Sequence, residues 1–191
     1  IMAITYDKDS DGIVLLTIDM PNRSANVLND VFFKAFIEVL DKLEADQSAT
    51  GAILVSGKKL WIAGADIDTS FSSVDPAHFF KMSELLKKDL RRLETIGKPV
   101  VAALNGTALG GGLEVALGCH YRVAADNSKA RFGFPEVTLG LLPGAGGTQR
   151  TPRLVGVMAC AQMLTEGKRL KVSEAAKMGL INAVVPAGEE R

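Results

Sequence analysis

The chain has 191 residues, 47% hydrophobic and 23% charged, a balance that excludes disorder and fits one folded domain. Lysine plus arginine (22) equals aspartate plus glutamate (22), so there is no basic excess to hold nucleic acid or an anionic membrane surface. Two cysteines (Cys119, Cys160) and two histidines (His78, His120) argue against a disulfide scaffold and a zinc site, and no apolar run approaches the roughly 20 residues of a membrane span. A cytoplasmic protein without a metal is the expectation.

Ala3 to Tyr6 and Ile13 to Asp19 read as strands joined by a turn at Asp9-Ser10-Asp11-Gly12. Behind Asn29, a residue suited to capping, Phe32, Phe36, Val39, Leu40 and Leu43 recur at helical spacing. Ala52 to Ser56 is a short buried strand. Asp75-Pro76 opens a second helix with the apolar stripe Phe79, Met82, Leu86, Leu90 and Leu93. Pro99 introduces the strand Val100 to Leu104, and Gly110-Gly111-Gly112 leads into a helix ending near Cys119. Strands follow at Tyr121 to Ala125 and Ala130 to Phe132. Helices lie near Thr148 to Val155, Met158 to Thr165 and Ser173 to Met178, and Ile181 to Val185 is a last strand. This alternation implies an α/β fold with parallel pairing and functional loops gathered at one edge.

Three glycine-rich loops invite a chemical reading: Ala63 to Asp66, Asn105 to Glu114, and Pro143 to Gln149. None is a common phosphate cradle. The pattern G-x-G-x-x-G fails at Val115 and at Gln149, and neither G-x-x-x-x-G-K nor the hydrolase elbow G-x-S-x-G occurs. The amides of Gly110 to Gly112 start a helix and so have no intrahelical acceptor. Aimed at a carbonyl oxygen, they form an oxyanion hole, each donor worth about 3–4 kcal/mol of barrier, and the Gly64-Ala65-Asp66 loop can supply a second donor. The competing reading is that the glycines only let strand and helix pack closely.

Glu114 lies in the first turn of an apolar helix, where the helix dipole favours an ionised carboxylate able to take a proton. Glu136 follows Phe132-Gly133-Phe134-Pro135, where desolvation raises the proton affinity and suits it to donating. Two carboxyls beside one oxyanion hole can activate water and deliver a proton to carbon, adding water across a conjugated thioester. Lys87-Lys88 and Arg91-Arg92 read as a solvated helix face. Lys58, Lys59 and Arg23 are candidates for the phosphates of an anionic ligand. Cys119 and His120 are adjacent in sequence and point apart, so no nucleophile–base pair is expected of them.

These residues resemble a family. Ile62-Ala63-Gly64-Ala65-Asp66-Ile67 resembles the first oxyanion loop of the crotonase (enoyl-CoA hydratase/isomerase) superfamily, and Asn105-Gly106 through Leu109-Gly110-Gly111-Gly112-Leu113-Glu114 its second. Pro135-Glu136-Val137 with Pro143-Gly144-Ala145-Gly146-Gly147-Thr148-Gln149-Arg150 resembles its third signature, and the match runs over nearly the whole chain. Cys119-His120-Tyr121-Arg122, Gly140-Leu141-Leu142-Pro143 and the interval from Glu114 to Glu136 look most similar to the N-terminal hydratase part of multifunctional fatty acid oxidation α-subunits.

The resemblance implies a crotonase-like spiral of ββα units over residues 1–191, lacking the family's C-terminal helical region, as the N-terminal fragment of a longer chain. It implies an acyl-CoA thioester substrate with its oxygen on the amides of Ala65 and Gly111, Glu114 activating water and Glu136 protonating carbon. Arg23, Ala25, Ala63, Asp66, Ile67, Asp68, Gly110 and Pro143 are the residues it implies for substrate binding. Coenzyme A enters only as part of the substrate, and NAD belongs to a dehydrogenase part not present here. The implied partners are further copies of the chain or, in a full-length form, a thiolase β-subunit. An isomerase moving a 3-enoyl double bond, and a non-catalytic acyl-CoA- or RNA-binding homologue, are the alternatives.

Overall fold

Strand pairing begins locally and continues in parallel. In the computed structural model, which describes residues 2–66 and 75–190, β1 (Ile4–Lys8) and β2 (Ile13–Ile18) form an antiparallel hairpin with Ile4 opposite Ile18. Asp9 closes its turn by accepting from the N–H groups of Asp11 (2.9 Å) and Ile13 (2.8 Å). β3 (Gly51–Ser56), β4 (Val100–Leu104), β6 (Tyr121–Ala125) and β9 (Ala183–Val185) then add in parallel. Ile13 pairs with Gly51, Ala52 with Val100, Val101 with Tyr121 and Val123 with Ala183. The resulting sheet has the order β1-β2-β3-β4-β6-β9. Its central strands are apolar on both faces, as Gly51-Ala52-Ile53-Leu54-Val55 shows, because both faces are covered.

A second, three-stranded sheet joins β5 (Ala108–Leu109), β7 (Phe132–Gly133) and β8 (Arg169–Leu170). β5, β8 and a 3-10 turn at Pro135–Leu139 have no counterpart in the sequence reading, since two-residue strands carry no period to detect. The connections leaving the carboxyl ends of β3, β4 and β6 contain the glycine loops and Glu136. In parallel sheets that end is where ligands are met.

Helices cover the sheet. In α1 (Asp30–Ala45), Phe32, Ala35, Phe36, Val39, Leu40 and Leu43 are buried. Asn29 caps α1, its Oδ1 accepting from the Phe32 N–H at 3.2 Å. Asn29→Ala is expected to cost about 1 kcal/mol in urea unfolding, the usual worth of such a cap. Asp75 caps α2 (Pro76–Glu94) by accepting from the Ala77 N–H at 3.0 Å. Leu86, Leu90 and Leu93 of its stripe are buried, while the Phe79 side chain lies outside the described residues. Arg92 departs from the solvated face expected of it, reaching Asp41 at 2.6 Å and Glu44 at 2.7 Å on α1. The remaining helices are α3 (Gly111–Gly118), α4 (Gly147–Val155), α5 (Val157–Thr165) and α6 (Val172–Met178).

Candidate active site

α3 begins at Gly110, whose φ of 53° and ψ of −129° a side chain would strain. From Gly112 to Gly118 this helix is buried all round, so Glu114 is carried into the core and is only 2% exposed. Its Oε1 accepts two main-chain hydrogen bonds, from Ala145 and Gly147, both at 2.7 Å. Burial pushes its proton affinity up, opposed by those two amides and by the charges of Arg150 and Lys87. Desolvation at this depth thus works against the ionised form that the helix dipole favours.

Glu136 enters from the 3-10 turn behind Pro135. Burial raises its pKa to about 7, its own backbone bond opposing and the charge of Glu114 adding to the rise. Its Oε2 is buried without a hydrogen-bond partner. A folded-state pKa above the ordinary carboxyl value means the native protein keeps this proton longer than the unfolded chain. Stability is therefore full below about pH 4.5 and falls as pH rises towards 7. Discounted for the solvent that reaches a half-buried carboxyl, the loss is about 1–2 kcal/mol. Glu136→Gln is expected to abolish it, read by urea unfolding at pH 4.5 and 7.5.

Glu114 and Glu136 line one cavity of about 460 Å³ together with Ala65 and Gly111. Leu28, Met82, Leu86 and Leu142 make much of its wall apolar. Leu28 pairs in parallel with Ala65: its N–H donates to Gly64 O at 2.8 Å and its carbonyl accepts from the Asp66 N–H at 3.0 Å. Along an extended segment successive amides face opposite sides, so the Ala65 N–H faces away from Leu28. Gly111 is the first residue of α3, and its N–H is one of those without an intrahelical acceptor.

The other residues expected at the substrate are not among those lining this cavity. Arg23 pairs with Asp66 at 2.6 Å, and Asp66 is 3% exposed and also accepts from Asn29 Nδ2 at 3.2 Å. Neither lines the cavity, and nor do Ala25, Ala63, Gly110 or Pro143. Gly110 instead lies against the Glu136 carboxyl. Ile67 and Asp68 lie outside the described residues. Lys58, a candidate for phosphates, pairs with Asp19 at 2.6 Å.

His120 Nδ1 accepts from the Val100 N–H at 3.1 Å, so its Nε2 donates to Glu94 O at 3.1 Å. Burial pushes the Cys119 thiol up to about 12, and it is no nucleophile for that imidazole.

Asn26 was not singled out by the sequence reading, yet it organises the site. Fully buried, it accepts from the Met20 N–H (3.0 Å) and donates to Ile18 O (2.9 Å), Ser56 Oγ (2.9 Å) and Trp61 O (3.2 Å). Its main-chain carbonyl accepts from the Ala63 N–H at 2.9 Å, which fixes the segment ahead of Ala65. An amide amid Ala25, Val27 and Leu28 was the available signal. Among the described residues no group of three or more metal-ligating side chains gathers, and no helix is long and apolar enough to cross a membrane.

A family model described as enoyl-CoA hydratase/isomerase matches residues 8–190. The chain belongs to this family. The crotonase fold is shared with solved enoyl-CoA hydratases from Geobacillus kaustophilus (33% identical, TM-score 0.94) and Bacillus anthracis (31%, TM-score 0.91). The alignments cover 100% and 98% of this crotonase chain and 70% and 72% of those structures. Among curated proteins, the fatty acid oxidation complex subunit alpha of Idiomarina loihiensis is 45% identical over 188 residues, 96% of this chain. The chain spans 26% of that relative's length.

Proposed function

We propose that this crotonase chain hydrates trans-2-enoyl-CoA thioesters to L-3-hydroxyacyl-CoA in fatty acid β-oxidation. The observation that carries the reading is one apolar cavity holding two carboxyls in different environments, Glu114 and Glu136, together with Ala65 and Gly111. The thioester oxygen sits on the Ala65 and Gly111 amides, which stabilise the charge that builds there as C3 is attacked.

With its Oε1 tied to the Ala145 and Gly147 amides, Glu114 has Oε2 left to accept a proton from water. The water oxygen bonds to C3, the π pair shifts towards the thioester, and C2 takes the proton of Glu136. The sum is one water added. The carboxyls exchange protonation states and solvent resets them. A pKa of about 7 keeps a substantial fraction of Glu136 protonated at neutral pH. The apolar wall strengthens each of these electrostatic interactions.

Coenzyme A is needed only as part of the substrate. The name of the Idiomarina relative supports a setting in fatty acid oxidation. The reading extends to a cytoplasmic multifunctional α-subunit, assembled with a thiolase β-subunit and using NAD in a separate dehydrogenase part.

Hydration of crotonyl-CoA, followed as loss of conjugated-thioester absorbance, tests the proposal in the full-length protein against Glu114→Gln and Glu136→Gln. Equal rates in all three overturn it. A protein that converts 3-enoyl-CoA to the 2-isomer and leaves crotonyl-CoA unhydrated replaces hydratase with isomerase.

A further inference from the structure

We infer that Arg150 is the positioning residue for Glu114: its guanidinium holds the Ala145–Gly147 loop so that both amides stay on Oε1 and Oε2 is left for water. The inference rests on the hydratase reading and adds a residue to it. The loop's main-chain groups divide between two partners. Its Ala145 and Gly147 N–H groups go to Glu114, as described. Its carbonyls go to α4: Ala145 O accepts from Arg150 Nη1 at 2.7 Å, and Gly146 O accepts from the Arg150 N–H at 2.8 Å and the Gln149 N–H at 2.9 Å.

The guanidinium also fills the space beside Gly146, where a Cβ would collide with Nη1 and where φ is 104°. Arg150 is itself held. Its Nε donates to Glu94 Oε1 at 2.5 Å, and Arg91 Nη1 grips the other oxygen of Glu94 at 3.2 Å. Only 17% of the Arg150 side chain is exposed, so this bond is shielded from water more than a surface pair. α2 thus fixes the loop through Glu94 and again through Ser83, whose Oγ donates to Gly144 O at 2.5 Å.

Among the described residues, charged groups on three neighbouring elements bear on Glu114. Arg150 on α4 and Lys87 on α2 favour its ionised form, and Glu136 on the 3-10 turn, once ionised, opposes it. Removing Arg150 therefore loosens the two amides and removes a cation together.

The test is the pH profile of crotonyl-CoA hydration for full-length Arg150→Gln and Arg150→Lys. Arg150→Gln is expected to lose about 30–100-fold in kcat, with KM within about threefold, as expected for an interaction made mainly in the transition state. The acid limb of kcat, set by ionisation of Glu114, should move up by about 0.5–1 pH unit when the cation is lost. Arg150→Lys should restore the limb but remain about 3–10-fold slow, because an ammonium cannot supply the Nε and Nη1 donors in one fork. In a Glu114→Gln background, Arg150→Gln should cost nothing further.

Wild-type kcat in Arg150→Lys overturns the inference, even if Arg150→Gln fails to fold. So does a rate loss with an unmoved acid limb that persists in the Glu114→Gln background, which marks a mere brace of α4. Wild-type activity in Glu114→Gln removes the hydratase reading itself. An inactive Glu114→Gln beside unaffected Arg150 variants removes the positioning role alone.

Discussion

Glutamine at position 114 is expected to lower kcat for crotonyl-CoA hydration by about 1,000-fold, within the 100- to 10,000-fold range of a lost general base. The substitution keeps the shape of the side chain. Its carbonyl oxygen can still accept from the Ala145 and Gly147 amides at the position Oε1 now holds. What disappears is a group able to take the proton of the attacking water. Because the glutamine is never charged, the cost of burying a carboxylate also disappears, so the unfolding midpoint in urea should not fall. A folded variant that keeps more than about a tenth of the wild-type kcat would take Glu114 out of the chemistry.

Gly110→Ala should damage both stability and rate. The backbone there, φ 53° and ψ −129°, strains any residue with a side chain by about 1–3 kcal/mol. The new Cβ would lie 2.6 Å from Glu136 Oε1 and 3.3 Å from its Cδ. The main chain has little freedom to retreat. Gly110 N–H donates to Gly133 O at 2.9 Å, and Gly110 O accepts from the Glu114 N–H at 3.0 Å. The Glu136 carboxyl must therefore yield its place. A loss of about 2–3 kcal/mol in urea unfolding is expected from strain plus overpacking. A fall in kcat of about 100-fold or more should accompany it, the size expected of a displaced proton donor. Gly97→Ala is the control: φ is 77° with nothing within 4 Å of a Cβ, so it feels backbone strain alone and should keep its activity. If Gly110→Ala turns over as fast as Gly97→Ala, the placement of Glu136 does not limit the reaction.

The α/β layout was legible because its signals are periodic or local. Phe32 to Leu43 repeats at helical spacing, Asn29 and Asp75-Pro76 mark helix starts, and β3 and β4 are unbroken apolar runs. Glu114 and Glu136 stood out as carboxyls in apolar company. What holds them did not. The Ala145 and Gly147 amides are main-chain donors and leave no mark in side-chain chemistry, and Arg150 acts on a carbonyl that any residue would supply. The direction of the Glu114 shift depends on depth, which a helix position alone does not reveal. Arg92 was read with its own helix face, although its partners Asp41 and Glu44 lie on another helix.

The order of the large sheet bears on how the chain is assembled. After the hairpin, each strand docks on one that left the ribosome before it: β3 on β2, β4 on β3, β6 on β4 and β9 on β6. No strand of this sheet has to insert between two already paired. A nascent chain can therefore grow its sheet edge by edge during synthesis. The edge awaiting the next strand stays open until translation supplies it, and an unpaired edge is where two unfinished chains would stick to each other.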